Sequence, residues 1–336
     1  MAVDPEVIKV AQSLRADVDI KVKTSVMYMA DKYAVISDSL DKTVDNLRKE
    51  IKGLIDEGKN VGPEWYRELH YYKTLQSQVY DKYGNYAYVA SLYLDNSMVD
   101  MAQNGANMAQ ALLQASAVGD YQFPKLANET IQALVSIMQD QAPLSNLLTG
   151  LGTTTWVAIQ DELSSGLAKG LPIKQIAQRM SMAKNIGYQR SLVIARTEIL
   201  RAHRTASQYY YQNTPSCKGF KRLADAKNGC MACIAKDGER FTSKQNFYDH
   251  PNGRCTMIPI VEGLREPEWD YAYNQFNNLP KDEQIERMGI EFWHNWKDRK
   301  FNIKDLGSVT TNPIWGSSPK VTPLSQLVPN WRDLRN

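Results

Sequence analysis

The sequence predicts a mainly α fold carrying one small β module, on three observations. Apolar residues recur at steps of three and four over long stretches of the first 116 residues and again from about residue 153 to 209, the period of helices with one buried face. Gly and Pro are absent between Pro5 and Gly53, so nothing interrupts the first stretch. All four cysteines of the 336 residues fall in a 39-residue window, Cys217 to Cys255, where short strand-like runs alternate with turn residues.

The first helix starts with Asp4 as N-cap and Pro5 at the first helical position. Its stripe of Met29, Tyr33, Ile36, Leu40, Val44, Leu47, Ile51 and Leu54 repeats on a single face and must be buried against another helix. Gly58 to Pro63 turns the chain. A second run, with Trp65, Leu69, Tyr72, Leu75 and Val79 on one side, extends towards Ala115, with Gly84 as a place for a kink. The two make an extended antiparallel helical hairpin over residues 1–116, and its tyrosines, at helical spacing, read as core and boundary residues. Residues 117–150 form a helical connector: the loop GDYQFPK, a short helix in NETIQALVSIMQ and a turn led by Pro143, with a domain boundary near Gly150.

The next predicted domain covers residues 151–262: from Thr153 the helical signal resumes in TTTWVAIQDELSSGLAKG, ends at Gly170, restarts at Pro172 and pauses around Lys184. A longer helix follows, repeating Tyr188, Leu192, Ala195, Ile199, Ala202, Ala206 and Tyr209, whose alanines let another element approach closely. Beyond the cysteine window, residues 263–306 are rich in aromatics: Trp269, Tyr271, Tyr273 and Phe276 lead into one helix from about Lys281 to Lys297, buried on the face of Ile285, Met288, Phe292 and Trp296. Residues 307–336, with four prolines in GSVTTNPIWGSSPKVTPLSQLVPNW and scattered anchors such as Trp315 and Leu324, read as an extended arm. Such an arm lies either on this protein's own helices or on a larger assembly.

The net charge of +3 conceals a segregation. Residues 166–260 hold 16 Lys and Arg against 5 Asp and Glu, a net +11, which leaves −8 for the rest of the chain. The opening MAVDPEVIKV lacks the basic and apolar regions of a signal peptide, and no apolar run approaches membrane-spanning length, so the expectation is a protein that stays where it is made.

Within the window, Cys230 and Cys233 form a C-x2-C pair, and His250 and Cys255 follow at the spacing of a tetrahedral zinc site. The strand-like KGFKRL leads to a turn at Gly229 that presents the two cysteines on one knuckle. Thiolate and imidazole ligands filling a tetrahedron leave no open position for substrate, so such a site is structural and holds a segment that has few core residues of its own. Cys217 is the competing ligand. The plainer alternative is a set of reduced buried thiols with His250 in a turn.

The runs GLAKGLPIKQIAQRM, IARTEILRAHRTA, CMACIAKDGERF and DHPNGRCTMIPIV occur in that order over residues 153–262. Their combination resembles the phage Mu F-type minor head protein family, also called phage head morphogenesis proteins. The family carries a further cysteine where this chain has Gly253. The resemblance implies a portal-associated minor head component, located in the head interior after assembly in the host cytoplasm, that acts in head morphogenesis and in DNA packaging, retention or ejection. It implies the portal protein as partner, with the major capsid or scaffolding protein beside it. The basic segment suits packaged double-stranded DNA bound without sequence reading, with Lys218, Lys221 and Arg222 as contact candidates; no membrane is expected as a partner.

Three motifs are weighed for a catalytic role. Arg196, Thr197 and Glu198 with Arg201 place an acid among arginines, but the spacing of Glu198 and Arg201 is that of a helical ion pair, a structural role. Asp237 and Gly238 read as a tight turn with Gly at positive φ. Asp249-His250 is like the start of an HNH-type nuclease site, yet the next histidine is His294, on a different predicted helix, and no phosphate loop, nucleophile elbow or H-E-x-x-H is present. A non-catalytic protein is expected, with a cytoplasmic zinc-dependent nucleic-acid adaptor as the competing reading and a nuclease behind it.

Overall fold

The computed structural model describes residues 5–59, 61–62, 65–116, 122–141, 144–263 and 271–329. The N-cap expected at Asp4, the turn at Pro63, the opening of the GDYQFPK loop, Pro143, Trp269 and the arm beyond residue 329 lie outside the described residues. The fold is mainly α, as the periodicity predicts. Helices α1 (Pro5–Asp56) and α2 (His70–Ser116) are separated by a 3₁₀ turn at Trp65–Glu68 and are followed by α3 (Asn128–Gln141), α4 (Leu144–Ala168) and α5 (Ile173–Gln212). Then come β1 (Cys217–Leu223), α6 (Met231–Ala235), β2 (Arg240–Thr242) and β3 (Thr256–Val261). The chain closes with α7 (Tyr271–Asn277), α8 (Lys281–Met288), α9 (Ile290–Lys297), a 3₁₀ turn at Ile303–Leu306, β4 (Gly307–Asn312), β5 (Gly316–Val321) and α10 (Leu324–Leu327). No described helix is long and apolar enough to cross a membrane.

The chain divides into two compact units: Met1–Ile20, Met98–Met138 and Ile199–Asn336 form one, and Lys21–Ser97 with Gln139–Glu198 form the other. In the second unit α1 and α2 run antiparallel, since Tyr86 reaches Met29 O, Thr43 Oγ1 donates to Gln78 Oε1 at 2.7 Å, and Glu50 accepts the His70 and Tyr71 N–H groups. The predicted stripe is buried except for Leu54, which is half-buried, and Trp65, which is 41% exposed. Tyr33, Tyr66, Tyr72, Tyr83 and Tyr86 are core residues, and Tyr33 packs edge-on to both Tyr83 and Tyr86.

Three expected breaks are absent. At or beside two of them, helices touch. Gly150, the expected domain boundary, lies inside α4, where the neighbouring Gly152 leaves room for Tyr83. α5 does not pause at Lys184: its ammonium is buried against Asp41 at 2.5 Å and Ser37 Oγ at 3.0 Å on α1. α2 is continuous through Gly84.

The first unit holds a three-stranded antiparallel sheet in the order β2-β1-β3. Phe220 stands opposite Phe241 on one side and Pro259 on the other, with an irregularity between Cys217 and Gly219. One core cluster joins Leu223 and Ile258 of this sheet to Val7, Ala11, Met108 and Leu112, so the ends of the hairpin belong with the sheet and residues 1–116 are not a domain of their own. Gly105 is the tightest approach here, since an added Cβ would run into the His203 carbonyl of α5.

A second cluster joins Met231, Cys233 and Ile234 of α6 to Ala272, Phe276, Met288, Ile303, Leu306, Leu324 and Val328. The segments 263–306 and 307–336, expected to be separate, therefore share one core with the cysteine window as far as they are described. The predicted 281–297 helix is broken at Gly289, which takes a φ of 88° between α8 and α9. The arm is also corrected: residues 307–321 form a β-hairpin, and Leu324 and Val328 are buried in the protein's own core.

Candidate metal centre

The local folding around the cysteines starts at the end of β1. Asp225 Oδ1 accepts the N–H groups of Lys227 and Asn228, and its carbonyl accepts Gly229 N–H at 2.6 Å, closing the turn that delivers Cys230. Cys230 precedes α6 in an extended conformation (φ −73°, ψ 163°), and Cys233 follows one turn later. A second turn, His250 to Gly253, is closed by Gly253 N–H to His250 O at 2.8 Å and places Cys255 at the mouth of β3.

These turns gather two overlapping triads that share Cys233: Cys230, Cys233 and His250, and Cys233, Asp249 and Cys255, with ligand atoms in each triad within 4.8 Å of one another. Cys230 Sγ lies 3.3 Å from His250 Nε2, while His250 Nδ1 faces the Pro251 carbonyl at 2.8 Å. Donation from Nδ1 to that carbonyl leaves Nε2 to act towards the cysteines. Cys230 is exposed; Cys233 and Cys255 are buried. The four side chains expected to act together are therefore neighbours.

The thiols differ sharply in proton affinity. The hydrogen bond from Cys233, with His250 assisting, pulls Cys230 down to about 4 against the effect of burial. Burial opposes charge on His250, but Cys230 and Asp249 outweigh it and raise the imidazole to about 9. Cys233, bonded to Cys230 and Cys255 and buried, is pushed far upward and keeps its proton. The arrangement is a thiolate–imidazolium pair beside a thiol, the protonation expected of a ligand cluster before an ion displaces its protons.

Sequence reasoning met Asp249 only as half of an HNH-like pair and missed its place in the cluster. Its side chain is 0% exposed, paired with Arg204 Nη1 at 3.1 Å and with Arg222 Nη1 at 3.8 Å. It also accepts the N–H groups of His250 at 2.9 Å and Cys255 at 3.2 Å, so one carboxylate orients both arms of the second turn. An added Cβ at Gly253 would overlap this carboxylate. The space that a side chain at position 253 would need is thus taken by Asp249.

Arg222, expected on a DNA face, points inward and is 0% exposed. Its Nε meets Glu239 Oε2 at 3.1 Å, its Nη2 donates to Tyr248 O at 2.7 Å, and its guanidinium lies over the rings of Phe247, Tyr248 and Phe241 at 4.6 to 5.7 Å. The signal was present in the strand period: Arg222 shares a face with buried Phe220. Lys218 is exposed and paired with Glu262 at 2.9 Å, and Lys221 is half-buried.

Cys217, the competing ligand, is excluded by register. It pairs with Val261 at one end of the β1–β3 ladder, whereas Leu223 pairs with Thr256, next to Cys255, at the other; its Sγ donates to Gly219 O at 3.1 Å. Thr197 and Glu198 are buried on α5, Thr197 bonding to Val193 O at 2.6 Å, and Arg201 donates to Met138 O at 3.3 Å. Asp237 and Gly238 form the expected turn, with Gly238 at φ 78°. Beyond that expectation, the Asp237 carboxylate accepts Ala224 N–H at 2.8 Å and Ala272 N–H at 2.7 Å and ties three segments together. No family model, curated protein or solved structure matches the chain.

Proposed function

We propose that this chain is a bacteriophage minor head protein, associated with the portal, that acts in head morphogenesis and in DNA packaging, retention or ejection without catalysis. The observation that carries the reading is the ordered motif series of residues 153–262, which ends in the Cys/His cluster at α6. The cluster is read as a structural zinc site of Cys230, Cys233, His250 and Cys255. Its donor set fits the ion: three sulfurs and one imidazole suit tetrahedral zinc, with ligand bonds of about 2.0–2.3 Å. Asp249 is the poorer fourth ligand, because its oxygens are already held by two arginines and two backbone N–H groups. Three thiolates around a divalent ion leave one negative charge, and buried Arg222 supplies the nearby positive charge.

Elemental analysis of the purified full chain should find about one zinc per chain. Cys233→Ser should abolish it and unfold residues 217–261 while helices of the other unit persist. Quantifying the chain in purified portal-containing particles tests the assembly reading. Its absence from particles, together with nucleic-acid binding in cell extract, would favour the adaptor reading instead.

The DNA role rests on the basic segment, with Lys218 and Lys221 retained as contact candidates. Affinity for double-stranded DNA should fall steeply with salt, and reversing both lysines should reduce the salt slope by about one for each phosphate no longer neutralised. An unchanged slope would assign the excess charge elsewhere.

A further inference from the structure

The segment after α9 is built as a strap over the metal knuckle, and its composition explains why it cannot stand alone. The β4–β5 hairpin buries few of its own side chains, and a two-stranded hairpin is marginal in water by itself. Its anchors lie at its ends. Ile303 and Leu306 before it, and Leu324 and Val328 after it, are all buried in the cluster that contains Met231, Cys233, Ile234 and Cys255. Thr322 ties the two ends together by bonding through its backbone N–H to Leu306 O and through its hydroxyl to Asp305 O, both at 2.9 Å.

The surface that receives these anchors is α6. This helix has five residues, all buried, and packs on the Ile303–Leu306 turn, on β4 and on β5. Gly307 lies so close that an added Cβ would sit 2.9 Å from Lys236 Cγ and 3.2 Å from Ala235 Cβ. A helix this short has no stability of its own. Packing on the strap and on α7 holds it, and the two cysteines of the knuckle are its N-cap, Cys230, and its third residue, Cys233. Strap and knuckle therefore meet on one short helix.

We propose that metal binding at the knuckle and docking of residues 303–328 are thermodynamically coupled, so that loading the site closes the strap and losing the ion releases it. The proposal rests on the reading of the cluster as a metal site. An ion that fixes Cys230, Cys233, His250 and Cys255 orders α6 and completes the surface on which Leu306, Leu324 and Val328 dock. Linkage makes the effect reciprocal: whatever factor the docked strap adds to metal affinity, the bound metal adds to docking. Head assembly would then meet a chain whose C-terminal segment is either stowed or free according to metal occupancy.

The test uses the full chain, stripped with a chelator and titrated with Zn²⁺, with backbone hydrogen exchange read by segment. Protection of 303–328 should rise together with that of 217–261, while residues in α4 and the first half of α5 stay unchanged as internal reference. Uptake of one Zn²⁺ with no change in 303–328 overturns the coupling and leaves the metal reading intact; no uptake overturns both. A double variant, Leu324→Asp with Val328→Asp, should weaken Zn²⁺ binding about tenfold in a competition titration, within the usual range of coupling factors. Equal affinity in the variant and the parent, with the reference helices protected in both, also overturns it.

Discussion

At the scale of single residues, the sheet-bearing unit contains a buried charge network in which Arg222 and Asp249 are both desolvated. Both side chains are 0% exposed. Removing one charge leaves the other desolvated, which costs about 3–5 kcal/mol, whereas exposed pairs are worth under about 1 kcal/mol. Arg222→Met, which keeps the volume and removes the charge, should therefore destabilise the sheet-bearing unit by about 3–5 kcal/mol in denaturant unfolding. Lys218→Ala, four residues earlier on the same strand, should change stability by under about 0.5 kcal/mol. Counting charge along the sequence could not separate these cations. Strand alternation sets Arg222 with Phe220 and Lys221 on the other face, but Lys218 has the parity of Arg222 and is set apart only by the irregularity between Cys217 and Gly219.

The ligand residues carry a second prediction. His250, raised to about 9, and Cys233, pushed far above the ordinary thiol range, both hold protons at neutral pH that an incoming ion must displace. Zinc uptake by the stripped chain should release at least about two protons, one from each of these groups, in weakly buffered solution at pH 7, and apparent affinity should weaken as pH falls. Cys230, held near 4, adds no proton until the solution is far more acidic. The ligands were legible in the sequence because C-x2-C and a following His and Cys are a spacing pattern. The carboxylate that aims them was not, since Asp249 acts through arginines 27 and 45 residues earlier in the chain, Arg222 and Arg204.

At the scale of elements, the long helices were legible because the burial of one face must repeat every three or four residues. Their interruptions were not. A glycine in a helix reads as a break by propensity, but a missing Cβ also permits close approach, and only the partner element decides between the two. Gly105 and Gly84, both in α2, test this directly. At Gly105 an added methyl meets the backbone carbonyl of His203, which cannot move without shifting α5, whereas at Gly84 nothing lies within 4 Å. Gly105→Ala should cost about 1–3 kcal/mol by overpacking, and Gly84→Ala should gain up to about 1 kcal/mol from helix propensity. Thermal unfolding of the two variants should shift in opposite directions. Gly289 is the converse case: its φ of 88° is a real break, hidden because Ile285, Met288, Phe292 and Trp296 keep the helical period across it.

At the scale of the whole molecule, the units are assembled from distant stretches of chain, and no linear reading of composition finds such boundaries. Residues 5–20 open a helix whose remainder belongs to the other unit, yet they supply Val7 and Ala11 to the core beneath Leu223 and Ile258. They also supply Arg15, which pairs with Asp225 at 3.3 Å in the turn before Cys230 and donates to the Arg254 carbonyl next to Cys255. The start of the chain thus grips both turns that carry the metal ligands. A chain beginning at Lys21 should keep the hydrogen-exchange protection of α4 and of α2 up to Ser97, and lose much of it over residues 217–261. It should also bind Zn²⁺ more weakly than the full chain, because Asp225 would be left without its cation and the sheet without part of its cover. Full protection of 217–261 in the shortened chain would mean that the cysteine module folds without the first turns of α1, residues 5–20, as the motif order alone suggests.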